Sequence, residues 1–471
     1  MNGTQDSAAA AQLDDLEESV ISRLLNAPDV TQAPHVRPET LVSLANVHVV
    51  AFGTGHQIYQ SIILPAIEKA QDEVILVTCF WAASPTLNDL NHSLRKLSAR
   101  AVQDGRKIRV RICFSSSSLW QKLCQTSSLS GRTWKPSTWR VGLDLPSPEE
   151  VPGLDMAIKS VFQLPFSIMH PKFVVVDRRV VFLPSCNVSW EEWFEGCVSL
   201  GGEVVQLFVR SWLEFWAEVE DREVLLTGSH GDLQHLGGAS RLSTSLLSTS
   251  DLEPHMVHSM FLPSPHHRFN LPWLTSDRPP PTPLNIYLLT LVARAEKNIY
   301  LQTPNLTMIP FITALLEALD RGVDVTIITS RNLMVLEQLV TAGTTTTRCV
   351  QRMMRSHERL ARNDERKSAN LEAGLLQPRR GRLVIKYYEP RAETSPYPSE
   401  PKQSHLKLTM VDDKIAIFGS GNMDRASWHT SQELGVAFTS PRVVGEVSRC
   451  LGAAMQGRSV VCYDSLTETV R

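Results

Sequence analysis

The chain has no apolar run approaching the roughly 18 residues a helix needs to cross a bilayer, so no membrane-spanning segment is expected. It has almost no net charge, −2 from 47 basic and 49 acidic residues, which excludes a global pull toward nucleic acid or anionic lipid. Any such attraction must be local. Its eight cysteines include no Cys-x-x-Cys pair, so reduced thiols in a cytosolic or nuclear setting are expected rather than a disulfide framework. Asp6, Asp14, Asp15, Glu17 and Glu18 all precede the first basic residue, Arg23, which opposes both a secretory signal and an Arg-rich presequence. Without a secretory route the glycosylation pattern at Asn2-Gly3-Thr4 carries no weight. Apolar residues are plentiful: 42% of the 471 residues, ample for two cores in two or three domains.

Two segments carry the same spaced polar set. One runs His170, Lys172, Asp177, Ser185, Asn187, and the other His405, Lys407, Asp412, Ser420, Asn422. A single His-x-Lys-x4-Asp arises by chance at the level of about a few per cent in such a chain, and a second copy with the same Ser-x-Asn tail is far rarer. Phe173–Val176 and Leu408–Val411 read as buried strands, and Val180–Leu183 and Ile415–Phe418 as the strands that follow a short polar turn. Each motif is therefore a hairpin. Alternation along a strand puts His and Lys on one face, and the return strand brings Ser and Asn back to the same edge. Such a set suits a phosphate, with Lys as fixed charge, Ser and Asn as hydrogen-bond donors and His as nucleophile or proton carrier. Asp177 and Asp412 read as ties within the motif rather than reacting groups.

The repeat extends beyond the motifs. Ala70–Thr78 lies over Ala295–Thr303, and Asp104–Ile112 over Arg321–Ile328, with a glycine ending a helix before each later strand. Each half reads helix, strand, helix, strand, insertion, motif hairpin, helix. The expected fold class is α/β: two lobes related by a pseudo-two-fold axis, with mixed β-sheets flanked by helices. The expected organisation is a peripheral polar extension over 1–40, a first lobe over 41–225, a Ser/Pro/His-rich irregular connector over 226–285, and a second lobe over 286–471 with a basic helical insertion at 331–400.

The paired sets resemble the signature of the phospholipase D superfamily, His-x-Lys-x4-Asp-x6-Gly-Ser-x-Asn. Copy two matches throughout and adds Ser427 and Glu433; in copy one Pro184 replaces the glycine, and Val198 is the counterpart of Glu433 when counted from the asparagine. Glu191, Glu192 and Glu195 are the candidates to stand in for it. The resemblance implies that both histidines flank one phosphodiester, His170 as nucleophile and His405 as acid and base, with a phosphohistidine intermediate. It further implies that Lys172, Lys407, Asn187 and Asn422 hold the non-bridging oxygens, that Ser185 and Ser420 support them, that Asp177, Asp412 and Glu433 complete the site, and that no metal or cofactor is needed.

The presence of both motif aspartates resembles the superfamily's phospholipases, phosphatidyltransferases and endonucleases, and the two-motif single-chain layout resembles cardiolipin synthase-like proteins. No PX or PH module is evident. A phospholipid substrate is expected, acted on by a cytoplasmic or peripheral-membrane monomer; the alternatives are a nuclease of the same superfamily and a non-catalytic phosphate-binding protein. Arg348, Arg352, Arg355, Arg359, Arg362 and Arg366 recur at steps of four and three, either a solvated helix face partnered by Glu358, Asp364 and Glu365 or a stripe facing anionic lipid or nucleic acid. Trp120, Trp134 and Trp139, interleaved with Lys122, Arg132, Lys135 and Arg140, read first as ordinary packing and second as an interfacial or base-stacking cluster. His255, His258, His266 and His267 lack partner cysteines or a helical His-x3-His pair and read as surface or loop histidines.

Overall fold

The computed structural model describes residues 15–27, 37–117, 131–162, 168–217, 248–251, 255–266, 277–370, 380–391 and 400–467, with the side chains of 248–251 and 363–370 outside the description. The first half supplies β1 (Val42–Thr54), β2 (Glu73–Phe80), β3 (Ile108–Ser116), β4 (Arg132–Thr133), β5 (Leu154–Ser160), β6 (Phe173–Val176), β7 (Val180–Pro184) and β8 (Trp193–Gly202). After β9 (Ser248–Asp251), the second half supplies β10 (Met256–Ser264), β11 (Asn298–Gln302), β12 (Asp324–Thr329), β13 (Leu383–Tyr388) and β14 (Gln403–Ser404). It closes with β15 (Leu408–Val411), β16 (Ile415–Gly419), β17 (Glu433–Thr439) and β18 (Ser459–Asp464).

Strand pairing runs β4-β5-β3-β2-β6-β7-β8-β1-β10-β17-β16-β15-β11-β12-β13-β18, with β9 also against β1 and β14 also against β8, and among the described residues no pairing joins β4 to β18. Within it β2, β3 and β5 are mutually parallel, as are β11, β12 and β13, and the motif hairpins β6-β7 and β15-β16 lie antiparallel beside them. Reading outward from the β1–β10 junction, the two halves have the same sequence of neighbours and directions. A pseudo-two-fold axis therefore passes between β1 and β10, and the α/β fold class holds.

Local chemistry explains the repeat. The helix Pro85–Gln103 starts on Ser84, whose side chain accepts from the Leu87 N–H, and buries Leu87, Leu90, Leu94, Leu97 and Ala101 at helical spacing. Its counterpart Ile309–Asp320 buries Phe311, Ile312, Leu315, Ala318 and Leu319. Gly105 and Gly322 follow these helices at φ 65° and 96°, a left-handed backbone that turns the chain into β3 and β12 at low cost.

Three boundaries differ from expectation. Met256–Ser264, placed in the irregular connector, is the central strand β10, because Val257, Met260, Phe261 and Leu262 bury between β1 and β17. The surrounding Ser, Pro and His content obscures that short apolar run. The 331–400 insertion ends earlier, since Leu383–Tyr388 is sheet strand β13, the counterpart of β5. Residues 15–25, placed in a peripheral extension, form a helix whose Leu16, Val20 and Leu24 join the main core. Asp15 pairs with Arg294 at 2.8 Å and Arg23 donates to Thr290 at 2.6 Å, which ties that helix to Pro283–Arg294.

No helix among the described residues is long and apolar enough to cross a membrane. Trp134 and Trp139 are packed: their indole N–H groups donate to Ser160 Oγ and the Trp134 carbonyl, both at 3.0 Å, and Arg132 stacks 4.3 Å from the Trp134 ring. Arg140 pairs with Glu150. Trp120, Lys122 and His267 lie outside the described residues.

Candidate active site

The two histidines enter the site on the strand-like segments before β6 and β15, and each segment is pinned to the opposite half. The His170 N–H donates to the Gln432 carbonyl at 3.0 Å, and the His405 N–H donates to the Phe194 carbonyl at 2.9 Å. Gln432 and Phe194 immediately precede Glu433 and Glu195. The carboxylates follow the same exchange: His170 Nδ1 lies 2.8 Å from Glu433 Oε2, and His405 Nδ1 lies 2.9 Å from Glu195 Oε1. Each imidazole is therefore oriented by a carboxylate from the other half, and one site forms across the junction.

Glu195 is thus the counterpart of Glu433, and the alignment that set Val198 opposite Glu433 is corrected. Ser185 N–H donates to the Gly196 carbonyl and Ser420 N–H to the Leu434 carbonyl, which fixes the equivalence one residue after each glutamate. Copy two inserts a short helix, Arg425–His429, between Asn422 and Glu433, so counting from the asparagine overshoots in copy one by three residues. Both serines turn out to stand behind the carboxylates rather than face a phosphate. Ser185 Oγ donates to Glu195 and accepts from Gly196 N–H; Ser420 Oγ donates to Glu433 and accepts from Leu434 N–H.

Copy one's other departures leave this geometry intact. Pro184 closes β7 opposite Cys197, so its missing N–H does not disturb the Ser185 bond that follows. At the variable position bulk has changed sides. A Cβ on Gly421 would meet Leu284 at 3.0 Å, whereas in copy one Cys186 packs where the facing residue is Gly55, and a Cβ there would meet Cys186 at 2.8 Å.

Asp177 and Asp412 do not join the site, which corrects their placement among the catalytic residues. They sit at the far turn of each hairpin, seven residues and roughly 20 Å of extended strand from the histidines. Asp177 accepts from the backbone N–H groups of Gln71, Asp72 and Glu73, and Asp412 from those of Glu296, Lys297 and Asn298. Both take positive φ, 52° and 55°, in the turn. They tie each hairpin to the start of β2 or β11.

The lysines and asparagines line the junction. Lys172 Nζ donates to the His170 carbonyl at 2.9 Å, while Lys407 Nζ lies 2.9 and 2.8 Å from the two ring nitrogens of His405. Asn187 Oδ1 accepts from Phe80 N–H at 3.2 Å and Asn422 Nδ2 donates to Asp424 at 3.1 Å, leaving each amide at least one N–H beyond these contacts. Trp193 packs its ring 4.7 Å from that of His405. Thr78 and Thr303, matched by the sequence repeat but not read as site residues, accept from Val188 N–H and Met423 N–H and so fix the backbone just after each asparagine. His266, read as a surface or loop histidine, is buried, and its main chain exchanges two hydrogen bonds with the Gln432 side chain beside Glu433.

Burial dominates the electrostatics. It pushes His405 down to about 4, helped by Lys407 and resisted by Glu195; it also lowers His170, against Glu433. Lys407 depresses His170 and Lys172 depresses His405, so each imidazole senses the ammonium of the other half. Burial brings Lys407 to about 7 against the pull of Glu195. For the carboxylates burial works the other way and loses: His170 and Lys172 hold Glu433 at about 2, and His405 and Lys407 keep Glu195 below its usual range. With the carboxylates ionised each imidazole donates from Nδ1, which leaves Nε2 with its lone pair. His170, 16% exposed, spends that lone pair on no described residue, whereas His405, 4% exposed, has Lys407 against it. Among the described residues no group of three or more His, Cys, Asp or Glu side chains gathers as a metal site.

One matched family and one solved structure of similar length agree with this architecture. The family described as "Cardiolipin synthase, PLD-like domain" matches residues 288–453, the stretch that holds the second motif. The crystal structure of phosphatidylserine synthase from Haemophilus influenzae Rd KW20 superposes with a TM-score of 0.51 at 13% identity, covering 95% of this chain and 92% of that one. The phospholipase D family member Nuc from Salmonella typhimurium gives a TM-score of 0.26 at 17% identity over 38% of this chain and 91% of its own. No curated protein matches the chain in sequence. The family match identifies residues 288–453 as a PLD-like domain, and the duplicated motif and the two-fold fold extend the phospholipase D-like architecture over both halves of the chain.

Proposed function

We propose that the chain is a phosphodiesterase or phosphatidyltransferase that acts on phospholipids through a phosphohistidine on His170. The observation that carries this reading is the exchange of carboxylates across the junction, Glu433 to His170 and Glu195 to His405, which orients two imidazoles toward one centre. His170 Nε2, bonded to no described residue, attacks phosphorus as the bond to the departing alcohol breaks. His405 gives that alcohol its proton and then takes one from water or an acceptor alcohol, whose oxygen displaces His170. At rest His405 is neutral; the negative charge of the bound phosphodiester favours its protonation, with the Lys407 ammonium 2.8 Å from Nε2. The remaining N–H groups of Asn187 and Asn422, with Lys172 and Lys407, hold the non-bridging oxygens and offset charge gained in the transition state.

The lipid assignment draws on the matched family, described as cardiolipin synthase, and on a structural neighbour that is a phosphatidylserine synthase. A substrate panel tests it: phosphatidylcholine, phosphatidylglycerol, single-stranded DNA, duplex DNA and RNA, each with EDTA. The expected result is lipid turnover that survives chelation, phosphatidyl transfer when glycerol is added, and phosphoryl label trapped in alkali on His170 and lost in His170→Ala. Turnover confined to nucleic acid, or abolished by chelator, overturns the assignment. Absence of turnover on every substrate supports the non-catalytic alternative.

A further inference from the structure

The helix Val335–Ala342 turns an apolar face to solvent. Leu336, Leu339 and Val340, at spacings i, i+3 and i+4, are 77%, 41% and 48% exposed. Isolated surface aliphatics need no explanation, but three on one face of a two-turn helix are a patch. Gly343, at φ 63°, ends this helix, and the chain restarts at once as Thr346–Asn370.

That second helix buries Cys349, Val350, Met353, Met354 and His357 and keeps arginines on the other side. Arg348, Arg352, Arg355, Arg359 and Arg362 are exposed, and the described side chains offer them one carboxylate, Glu358, 4.0 Å from Arg362. Consecutive helices thus present aliphatic side chains and then a row of exposed guanidiniums. In a protein of net charge −2 this is a strong local asymmetry.

We infer that these two helices form a docking surface for an anionic phospholipid bilayer, with the aliphatic trio entering the interface and the arginines meeting phosphate head groups. The choice of occupant rests on the phospholipid reading above and on the pairing of the two chemistries. A nucleic-acid backbone would engage the arginines and leave the aliphatic face in water, whereas an anionic bilayer satisfies both.

The surface is also tied to the site. Gln338, buried on the opposite face of the first helix, donates to Asn305 Oδ1 at 2.9 Å and accepts from Thr346 N–H at 2.6 Å at the start of the second. Asn305 donates to Asp424 Oδ2 at 3.2 Å, and Asn422 donates to the same oxygen at 3.1 Å. Three hydrogen bonds therefore link the docking helix to the motif asparagine, so the surface is structurally connected to the phosphate site.

Co-sedimentation of the full chain with vesicles tests the surface without requiring turnover. Vesicles of phosphatidylcholine with phosphatidylglycerol should bind at least about tenfold more tightly than phosphatidylcholine alone, with affinity falling as salt rises. The triple variant Leu336→Ser, Leu339→Ser, Val340→Ser should weaken that binding at least about tenfold and leave the melting temperature unchanged, since the replaced groups are exposed. The charge reversals Arg352→Glu and Arg355→Glu together should do the same and remove most of the salt dependence. Equal binding to both vesicle types, or undiminished binding by the serine variant, overturns the inference. So does loss of duplex DNA binding in the arginine variant with no vesicle binding by the wild type. Vesicle binding that depends on these residues, with no lipid turnover, leaves the docking surface standing and removes the lipid-substrate assignment instead.

Discussion

Glu433 and His170 are 263 residues apart in the chain and 2.8 Å apart in space, the carboxylate of one half fixing the imidazole of the other. Glu195 and His405 repeat the relationship in reverse across 210 residues. Neither half holds its own histidine, so neither is a complete site. Replacing Glu433 by Gln keeps an acceptor for Nδ1 but removes the charge that stabilises the imidazole as it bonds to phosphorus, and should slow single-turnover labelling of His170 by about 10²-fold. Glu195→Gln acts on the acid instead. With an aryl phosphodiester whose leaving group needs no proton, its labelling rate should match wild type while hydrolysis of the intermediate slows. Equal damage to both steps in both variants would assign the glutamates a merely structural part.

The division of labour between the histidines gives a sharper test. His405→Ala should lose turnover on phospholipid by about 10²- to 10⁴-fold, the range for general acid–base catalysis. On the aryl ester the same variant should still form phosphohistidine, and the label should accumulate because the base for the second displacement is gone. Rapid-quench kinetics reads this directly. If instead His170→Ala accumulates label on His405, the two assignments are reversed.

Much of this was legible in the sequence, and the parts that were not share a physical cause. The β6-β7 and β15-β16 hairpins follow from apolar runs around a polar turn, and the helix ends at Gly105 and Gly322 follow from the repeat, because these are local effects. The carboxylate exchange depends on which edges meet at the β1–β10 junction, and spacing along one chain cannot show a contact made across it. Glu195 was hidden for a second reason: copy one lacks the short helix that copy two places before Glu433, so equal counting fell on Val198, a buried residue of β8. The arginine row was visible from periodicity alone. The aliphatic face beside it was not, since Leu336, Leu339 and Val340 in sequence look like core.

Lys407 predicts a pH limb. Burial brings its ammonium to about 7 in the substrate-free protein, so its charge is present below that pH and lost as pH rises through it. The profile of kcat/KM, which reports the free enzyme, should therefore fall across neutrality. In the complex the phosphate's negative charge holds the proton on, and the limb in kcat should lie at higher pH. Lys407→Arg keeps its charge throughout and should flatten kcat/KM between about pH 7 and 9. A limb unchanged in that variant belongs to another group.

Asp177 and Asp412 predict loss of stability rather than of chemistry. Each carboxylate accepts three backbone N–H groups at the start of β2 or β11, and each residue sits at positive φ, where an alanine is strained by about 1 kcal/mol and a glycine is not. Charge-assisted bonds of this kind contribute about 1.5–3 kcal/mol each when fully buried, and the partial exposure here reduces the sum to about 2–4 kcal/mol. Asp177→Ala should lower the urea midpoint most, Asp177→Gly less because the backbone strain is relieved, and Asp177→Asn least because one acceptor and the turn preference remain. Below each midpoint, kcat per folded molecule should stay within about twofold of wild type. A loss of kcat in Asp177→Asn without a shift in the midpoint would return this residue to the catalytic set and overturn the structural assignment made for both turns.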